Sequence, residues 1–539
     1  MKLPFIAPLP SIAERNLPSV LLRQSGERGN KLALVDSQGE LTYAELHVRS
    51  LRIAAGLKAT GLEPAAPTLI MLGNDRKHVL AWLGIALVGG VEVPINTAAV
   101  GNILRHVVED SGARIMIVDA EFAGRLLDFC ESPSHLRKVF VAGCETNPGI
   151  LDRLNGAGFQ ASSFEDLANF EPLDPDAIHI AGWDAMAIMY TSGTTGPSKG
   201  VCITHAHAYT HCATGETGGA FEEDVVLVCL PLFHIGGQWN GLYQAWIAGA
   251  TAVLLERFSA SAFWEDAQRH GVTYTTLLGA QASFLSRQPQ RASDRAHRIR
   301  HLTMLPLIDD ISGFRERFNI EGIRTGYGIS EGSSPIGAGY NLASPGGCGW
   351  LKPSFEARLV DAFDQEVPRG TPGELVLRSR EPWLLMTGYH GLPDKTAETM
   401  RNQWLHTGDL FRQDEHGQFY FIDRSKDSIR RRGENISSFE LEREACTHAA
   451  VAEAAAFAIA SEHTEDEVMV IVIPKVGAYV EASELHAYMK SRLPKFMVPR
   501  FVEVVSDLPR TPTNRVQKHL LRERGVTHQT WDSEGKTSR

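Results

Sequence analysis

Ten residues in the first half of the chain concentrate the clearest chemistry: Thr191-Ser192-Gly193-Thr194-Thr195-Gly196-Pro197-Ser198-Lys199-Gly200. They hold five hydroxyl side chains, three glycines and a lysine, and they follow an apolar run, Ala185 to Tyr190, that reads as a strand. Glycine lets backbone N–H groups come close to oxyanions, the hydroxyls add donors, and Lys199 adds positive charge. A loop of this make-up after a strand is read as a phosphate cradle. It is not a Walker A loop, because the spacing from glycine to Gly-Lys differs. An ordinary flexible Ser/Gly turn would need neither the strand before it nor the Lys-Gly end.

Other groups suited to the same chemistry follow in order. They are Pro231-Leu-Phe-His234, Tyr327-Gly328-Ile-Ser330-Glu331, His406-Thr-Gly-Asp409, and Asp423-Arg424-Ser-Lys426-Asp with Ile429, Arg430, Gly433 and Glu434-Asn435 behind it. Together with the loop they resemble the ordered motifs of the adenylate-forming superfamily, which includes acyl- and aryl-CoA synthetases, peptide-synthetase adenylation domains and firefly luciferase. Leu41-Thr-Tyr-Ala-Glu45-Leu matches the usual early helix start. The resemblance runs over roughly residues 20 to 525.

That resemblance implies two half-reactions. A carboxylate attacks the α-phosphate of ATP to give acyl-AMP and pyrophosphate, and a thiol, usually that of coenzyme A, then displaces AMP. It assigns catalytic roles to Lys199, Glu331 and a basic residue near the C-terminus. Nucleotide and CoA contacts fall to Thr191, Ser192, Gly193, Thr194, Thr195, Gly196, Tyr327, Gly328, Ser330, Asp409, Arg424 and Gly433. The types make sense. Glu331, with Thr194, offers hard oxygen for Mg²⁺ beside phosphates. Asp409 can accept ribose hydroxyls and Arg424 can hold an oxygen anion. Gly433 leaves room for a narrow pantetheine tunnel, and Lys426 marks the hinge about which a smaller domain swings.

Three departures stand out. The family's final P-[RK]-T-x-[ST]-G-K run appears as Pro509-Arg-Thr-Pro-Thr-Asn514-Arg515-Val-Gln-Lys518, with Arg515 where lysine is usual. Arginine keeps the charge but replaces a compact ammonium with a planar fork. Arg515 is expected to do the work, with Lys518 reaching in or a slow adenylation half as the alternatives. Met304-Leu-Pro-Leu-Ile308 stands where relatives carry Gly-Gly-Ala-Pro-Leu, and Ser330 replaces threonine.

A narrower resemblance, to bacterial crotonobetaine/carnitine-CoA ligases and their relatives, rests on Phe233-His-Ile, Glu256-Arg-Phe-Ser-Ala260, Phe263-Trp264, Gly433-Glu-Asn-Ile-Ser437 and Pro494-Lys-Phe-Met-Val-Pro499. By position the acid pocket draws on His234, Gly237, Gln238, Trp239, Gly279, Ala280 and Gly326. Trp239 or Tyr243 could face a trimethylammonium group; simple core packing is the plainer account of either ring, and a short or medium acyl or an aryl acid fits equally well. The implied activity is an ATP- and Mg²⁺-dependent carboxylic acid–CoA ligase. The alternatives are an enzyme loading a carrier-protein thiol and a catalytically impaired acyl-adenylate-binding protein.

These groups need a scaffold to hold them. Strand-like runs at Lys31 to Asp36, Thr68 to Leu72, Ile115 to Val118 and Val139 to Val141 alternate with helical patterns, including Lys77 to Leu87 and one N-capped by Thr42. Such alternation predicts an α/β fold with buried parallel sheet. From about residue 335 to 424, short strands among Gly and Pro predict a β-barrel-like subdomain closing an N-terminal AMP-binding domain of residues 1–424. Residues 425–525 read as a small α+β lid, in which Ser437-x-x-Glu440 forms a capping box for a helix opening at Leu441. From Val526 to residue 539 the tail is polar and expected to be disordered.

Composition excludes other classes. The 539 residues are 43% apolar and 22% charged, with a net charge of −11 and no long basic run, which argues against nucleic acid as a partner. The seven cysteines form no CxxC pair, so neither zinc nor a disulfide framework is expected. No signal peptide is read at the N-terminus, and the longest apolar stretch, Val79 to Val91, is short of the about 20 residues a membrane helix needs. The expectation is a cytoplasmic protein acting on a small-molecule acid, with a homodimer as one allowed assembly.

Overall fold

The computed structural model describes residues 9–129, 135–191, 197–213, 219–308, 310–342, 347–424, 428–431, 434–461, 465–509, 516 and 518–535. Two compact units divide the chain. One takes Met1–Thr97, Val108–Tyr190 and Gly200–Asp423; the other takes Ala98–Val107, Thr191–Lys199 and Arg424–Arg539.

The first unit is built on three sheets, of eight, seven and seven strands. The eight-stranded sheet pairs Pro67–Met71, Val91–Pro94, Ile115–Asp119, Lys138–Ala142, Gln160–Ser163 and Ala185–Thr191 in parallel, with Lys199–Thr204 and the short Gly388–Tyr389 at one edge. A second sheet pairs Leu32–Asp36, Val225–Val228, Thr251–Leu254, Tyr274–Leu278, His301–Leu305 and Gly322–Arg324 in parallel. These strands are apolar through most of their length because helices cover them, as expected of a parallel sheet. Helix ends obey local chemistry. Thr42 accepts from the Glu45 N–H while Glu45 accepts from the Thr42 N–H at 2.8 Å, which starts the helix Tyr43–Ala59. Asp75 caps Arg76–Val88, and Gly89 in the left-handed region ends it. Trp82 of that helix stacks on Trp246 at 5.8 Å in the core.

The third sheet is antiparallel and runs from Gly326–Ile329 through Ser333–Gly337, Gly347–Leu351, Phe419–Arg424, Leu405–Gln413 and Gly373–Ser379 to Phe355–Val360. It begins at Gly326, some ten residues ahead of the composition change, because the Tyr327 motif is itself its first strand.

In the second unit, Val451–Ala460, Asp466–Pro474, Phe501–Val504 and Trp531–Asp532 form a four-stranded mixed sheet. Helices Ser438–Cys446, Ala482–Arg492 and Lys518–Arg524 accompany it. Two points correct the sequence reading. The helix expected at Leu441 opens at Ser438, which leaves Glu440 in its first turn. The tail is not disordered through residue 535: Trp531 pairs with Val502, and Asp532 binds Arg500 at 3.0 Å. An aromatic residue and an ion pair anchor what composition alone marked as a loose end.

Candidate active site

The most cross-braced group lies on the antiparallel sheet of the first unit. Tyr327, on the first strand, donates its hydroxyl to Asp409 Oδ2 at 2.6 Å and packs edge-on against Phe411 at 4.8 Å. Asp409 is 4% exposed and its N–H donates to Thr407 Oγ1 at 3.2 Å. The turn before it is held by Glu374 of the neighbouring strand. Glu374 Oε1 accepts from the Gly408 N–H at 3.0 Å, and Oε2 lies 3.0 Å from His406 Nδ1. Burial by itself would raise the Glu374 carboxyl, but the His406 and Gly408 contacts outweigh it and hold it below the usual range. The result is a buried, oriented carboxylate at Asp409, a group able to accept from a pair of hydroxyls.

Glu331 sits in the turn after that first strand with Ser330. Its backbone oxygen accepts from the Met386 N–H at 2.9 Å, and its Oε1 accepts from Tyr389 Oη at 2.9 Å. Burial, reinforced by Glu331, pushes the Tyr389 phenol well above its ordinary range, so it stays a donor. Gly328 is required by close approach: a Cβ there would stand 2.9 Å from Ser333 O and 3.3 Å from His211 Cε1. Among the described residues no group of three or more His, Cys, Asp or Glu could hold a metal by itself. A Mg²⁺ ion here would depend on Glu331 oxygen and substrate phosphates, which suits an ion that keeps few protein ligands.

Four of the proposed pocket residues, His234, Gly237, Gln238 and Trp239, follow one another on a single element, and the others lie on separate ones. His234 precedes the short helix Ile235–Gly237, which continues as a π-helical turn over Gln238–Tyr243. Gly237 lets this element start against the preceding turn, since a Cβ would meet Leu230 O at 2.3 Å and Pro231 O at 2.4 Å. Trp239 is fully buried, its Nε1–H donates to Gln238 Oε1 at 3.0 Å, and His211 lies against it at 5.3 Å. Tyr243 is fully buried between Trp82 and Tyr209, each at 6.1 Å, in core packing. Gly279 and Ala280 head the helix Gly279–Arg287, with Gly279 beside Pro306. Gly326 opens the strand that carries Tyr327.

In the second unit, Thr191 ends one strand and Lys199 begins the next. The Ser198 N–H donates to Glu440 Oε1 at 2.9 Å, and the Ser198 carbonyl lies 2.8 Å from His106 Nε2. Lys518 donates to Ser438 Oγ at 2.8 Å and pairs with Glu442 at 2.5 Å, so its ammonium is tied to the helix Ser438–Cys446. Arg424 ends its strand. Ser192, Gly193, Thr194, Thr195, Gly196, Lys426, Gly433 and Arg515 lie outside the described residues, as does the Arg424 side chain.

Sequence reasoning missed Glu374, Tyr389 and His106, and it read Glu440 only as a helix-capping acid, not as the partner of Ser198. Each supports a motif from a distant segment, a link that nothing in its own neighbourhood marks.

The fold is that of an AMP-forming, acid-activating ligase, as comparison with known proteins shows. The AMP-binding enzyme family matches residues 21–390, and the AMP-binding enzyme C-terminal domain matches residues 440–515. The chain belongs to this family, within the acyl-CoA and aryl-CoA ligases of the adenylate-forming superfamily. It is 29% identical over 511 residues to a crotonobetaine/carnitine–CoA ligase of Escherichia coli O1:K1, covering 92% of this chain and 96% of that one. The corresponding ligase of Proteus mirabilis is also 29% identical, with 91% and 96% covered. Among solved structures, an o-succinylbenzoate CoA synthetase double mutant from Bacillus subtilis, bound to a product analogue, superposes with a TM-score of 0.79 at 25% identity, covering 94% and 98%. A benzoate CoA ligase from Burkholderia xenovorans gives 0.67 at 25%, covering 94% and 99%. Among the described residues no helix is long and apolar enough to cross a membrane.

Proposed function

We propose that this protein joins a small carboxylic acid to coenzyme A at the expense of ATP, through an acyl-AMP intermediate, releasing pyrophosphate and then AMP. The observation that carries this reading is the buried Asp409 carboxylate, oriented by Tyr327 at 2.6 Å in a turn braced by Glu374. Asp409 accepts the ribose hydroxyls. Lys199, with Thr191, Ser192, Gly193, Thr194, Thr195 and Gly196, binds the triphosphate, and Arg515 brings positive charge to the α-phosphate as the carboxylate attacks. Bound Mg²⁺, held by Glu331 with Thr194, would neutralise phosphate charge. Arg424 holds a ribose or phosphate oxygen, and Gly328 and Ser330 line the nucleotide. His234, Gly237, Gln238, Trp239, Gly279 and Gly326 enclose the acid, crotonobetaine- or carnitine-like or a short to medium acyl acid. The lid, residues 425–525, turns about Lys426, and pantetheine passes Gly433. The cytoplasm is its place of action.

Carboxylate-dependent ATP–pyrophosphate exchange over a panel of betaine, alkyl and aryl acids tests the first half. Exchange with one acid, followed by AMP release on adding CoA, is the expected result. Nucleotide binding without exchange for any acid would favour an impaired acyl-adenylate-binding protein, the reading that Arg515 motivates. Gly433→Trp should leave exchange near wild type and stop thioester formation; equal loss of both would remove the tunnel.

A further inference from the structure

The eight-stranded sheet carries a carboxyl group in its interior. Glu92, on the strand Val91–Pro94 beside Ala187, is 1% exposed. Its Oε2 accepts from Gln238 Nε2 at 2.9 Å, while its Oε1 has no hydrogen-bond partner among the described residues. Burial pushes this carboxyl up to about 8, against a smaller downward pull from Gln238, so it keeps its proton at neutral pH.

Gln238 is held from both sides. The indole N–H of Trp239 can only donate, so the Gln238 atom it meets at 3.0 Å is the oxygen, and the amide nitrogen must face Glu92. One amide N–H is then used by Glu92, and the second finds no acceptor among the described residues. Nearby, the buried Nδ1 of His211, whose ring lies 5.3 Å from Trp239, also has no hydrogen-bond partner among the described residues. Three polar positions around Gln238 and Trp239 are therefore buried without a hydrogen-bond partner among the described residues. A pocket end built for plain alkyl chain would not carry them, because buried polar groups left unpaired are costly.

We propose that Glu92 is a positioning residue that sets acid specificity: it fixes the Gln238 amide with one N–H toward the tail of the bound acid, so the preferred acid carries a neutral oxygen acceptor there. Hydroxyl, keto and ether oxygens share this chemistry. Glu92 does not touch the acid; it acts through the amide. The inference rests on Gln238 belonging to the acid pocket, as in the function proposed above.

The test pairs calorimetric binding to the full-length protein with AMP release, so that pocket and catalysis are read apart. Hexanoate is compared with 6-hydroxyhexanoate and 5-oxohexanoate, and 4-trimethylammoniobutanoate serves as the cationic member. Wild type should favour an oxygenated acid by about tenfold or more, as sites built around a hydrogen bond do. Glu92→Gln, which keeps an acceptor for Gln238 without adding charge, should retain that preference. Glu92→Met should lose it through Kd and KM, with kcat on hexanoate little changed, and Gln238→Met should give the same loss should Glu92→Met fold poorly. Equal binding of alkyl and oxygenated acids by wild type would overturn the proposal. So would a preference for the cationic acid that disappears in Glu92→Gln, since Glu92 would then act as a charge. Preferential binding without AMP formation would leave the pocket standing and remove the ligase reading; AMP formation without preference would do the reverse.

Discussion

The Asp409 turn and the Gln238 turn, both in the first unit, are finished to different degrees. Around Asp409, Tyr327, Thr407, Glu374 and His406 meet one another's hydrogen-bonding needs. Around Gln238, Glu92 and His211 keep buried polar atoms that have no partner among the described residues. A site for an invariant ligand such as a nucleotide can be braced completely by the protein. A site that must tell one acid from another leaves its last hydrogen bonds for that acid to make.

Disabling the finished side should have the largest effect. Asp409→Ala removes charge-assisted acceptors and strands the Tyr327 hydroxyl, so kcat/KM for ATP should fall about a hundredfold to a thousandfold in pyrophosphate exchange. The unfinished side should show itself in stability rather than rate. Because the folded pKa of Glu92, about 8, lies above its ordinary 4.5, the folded state gains from the neutral form at low pH and loses that gain as pH rises through this interval. Against Glu92→Gln, wild type should therefore weaken by roughly 2–4 kcal/mol between pH 5 and pH 8, read from denaturant midpoints. A parallel pH dependence in both proteins would mean that Glu92 stays charged. Gly237→Val drives side-chain atoms into the Leu230 and Pro231 carbonyls and should cost about 1–3 kcal/mol, seen as a lower Tm. Glu374→Ala should be mildest: about tenfold in KM for ATP, because it acts on the Asp409 turn indirectly, through the Gly408 backbone and the His406 ring. An unchanged KM would mean that the turn holds its shape unaided.

The same contrast decides what could be read from sequence. Asp409, Tyr327 and Glu331 stand in short motifs whose order survives in one dimension, and the parallel strands announce themselves as apolar runs between capped helices. Glu374 and Glu92 do not. Each serves partners more than thirty residues away, and a lone acid within an apolar strand gives no hint of which neighbour the fold will supply. The Trp531 strand was hidden for a related reason: two residues are too short to show a period, and their ion-pair partner, Arg500, lies in a separate segment.

That short strand has a practical side. Trp531–Asp532 covers part of the outer edge of Phe501–Val504, which otherwise presents unpaired backbone groups beside the apolar Val468, Val470 and Val472 strand. A shortened form ending near residue 525 would uncover a template for strand exchange between molecules, and its first symptom should be loss of solubility before any loss of turnover.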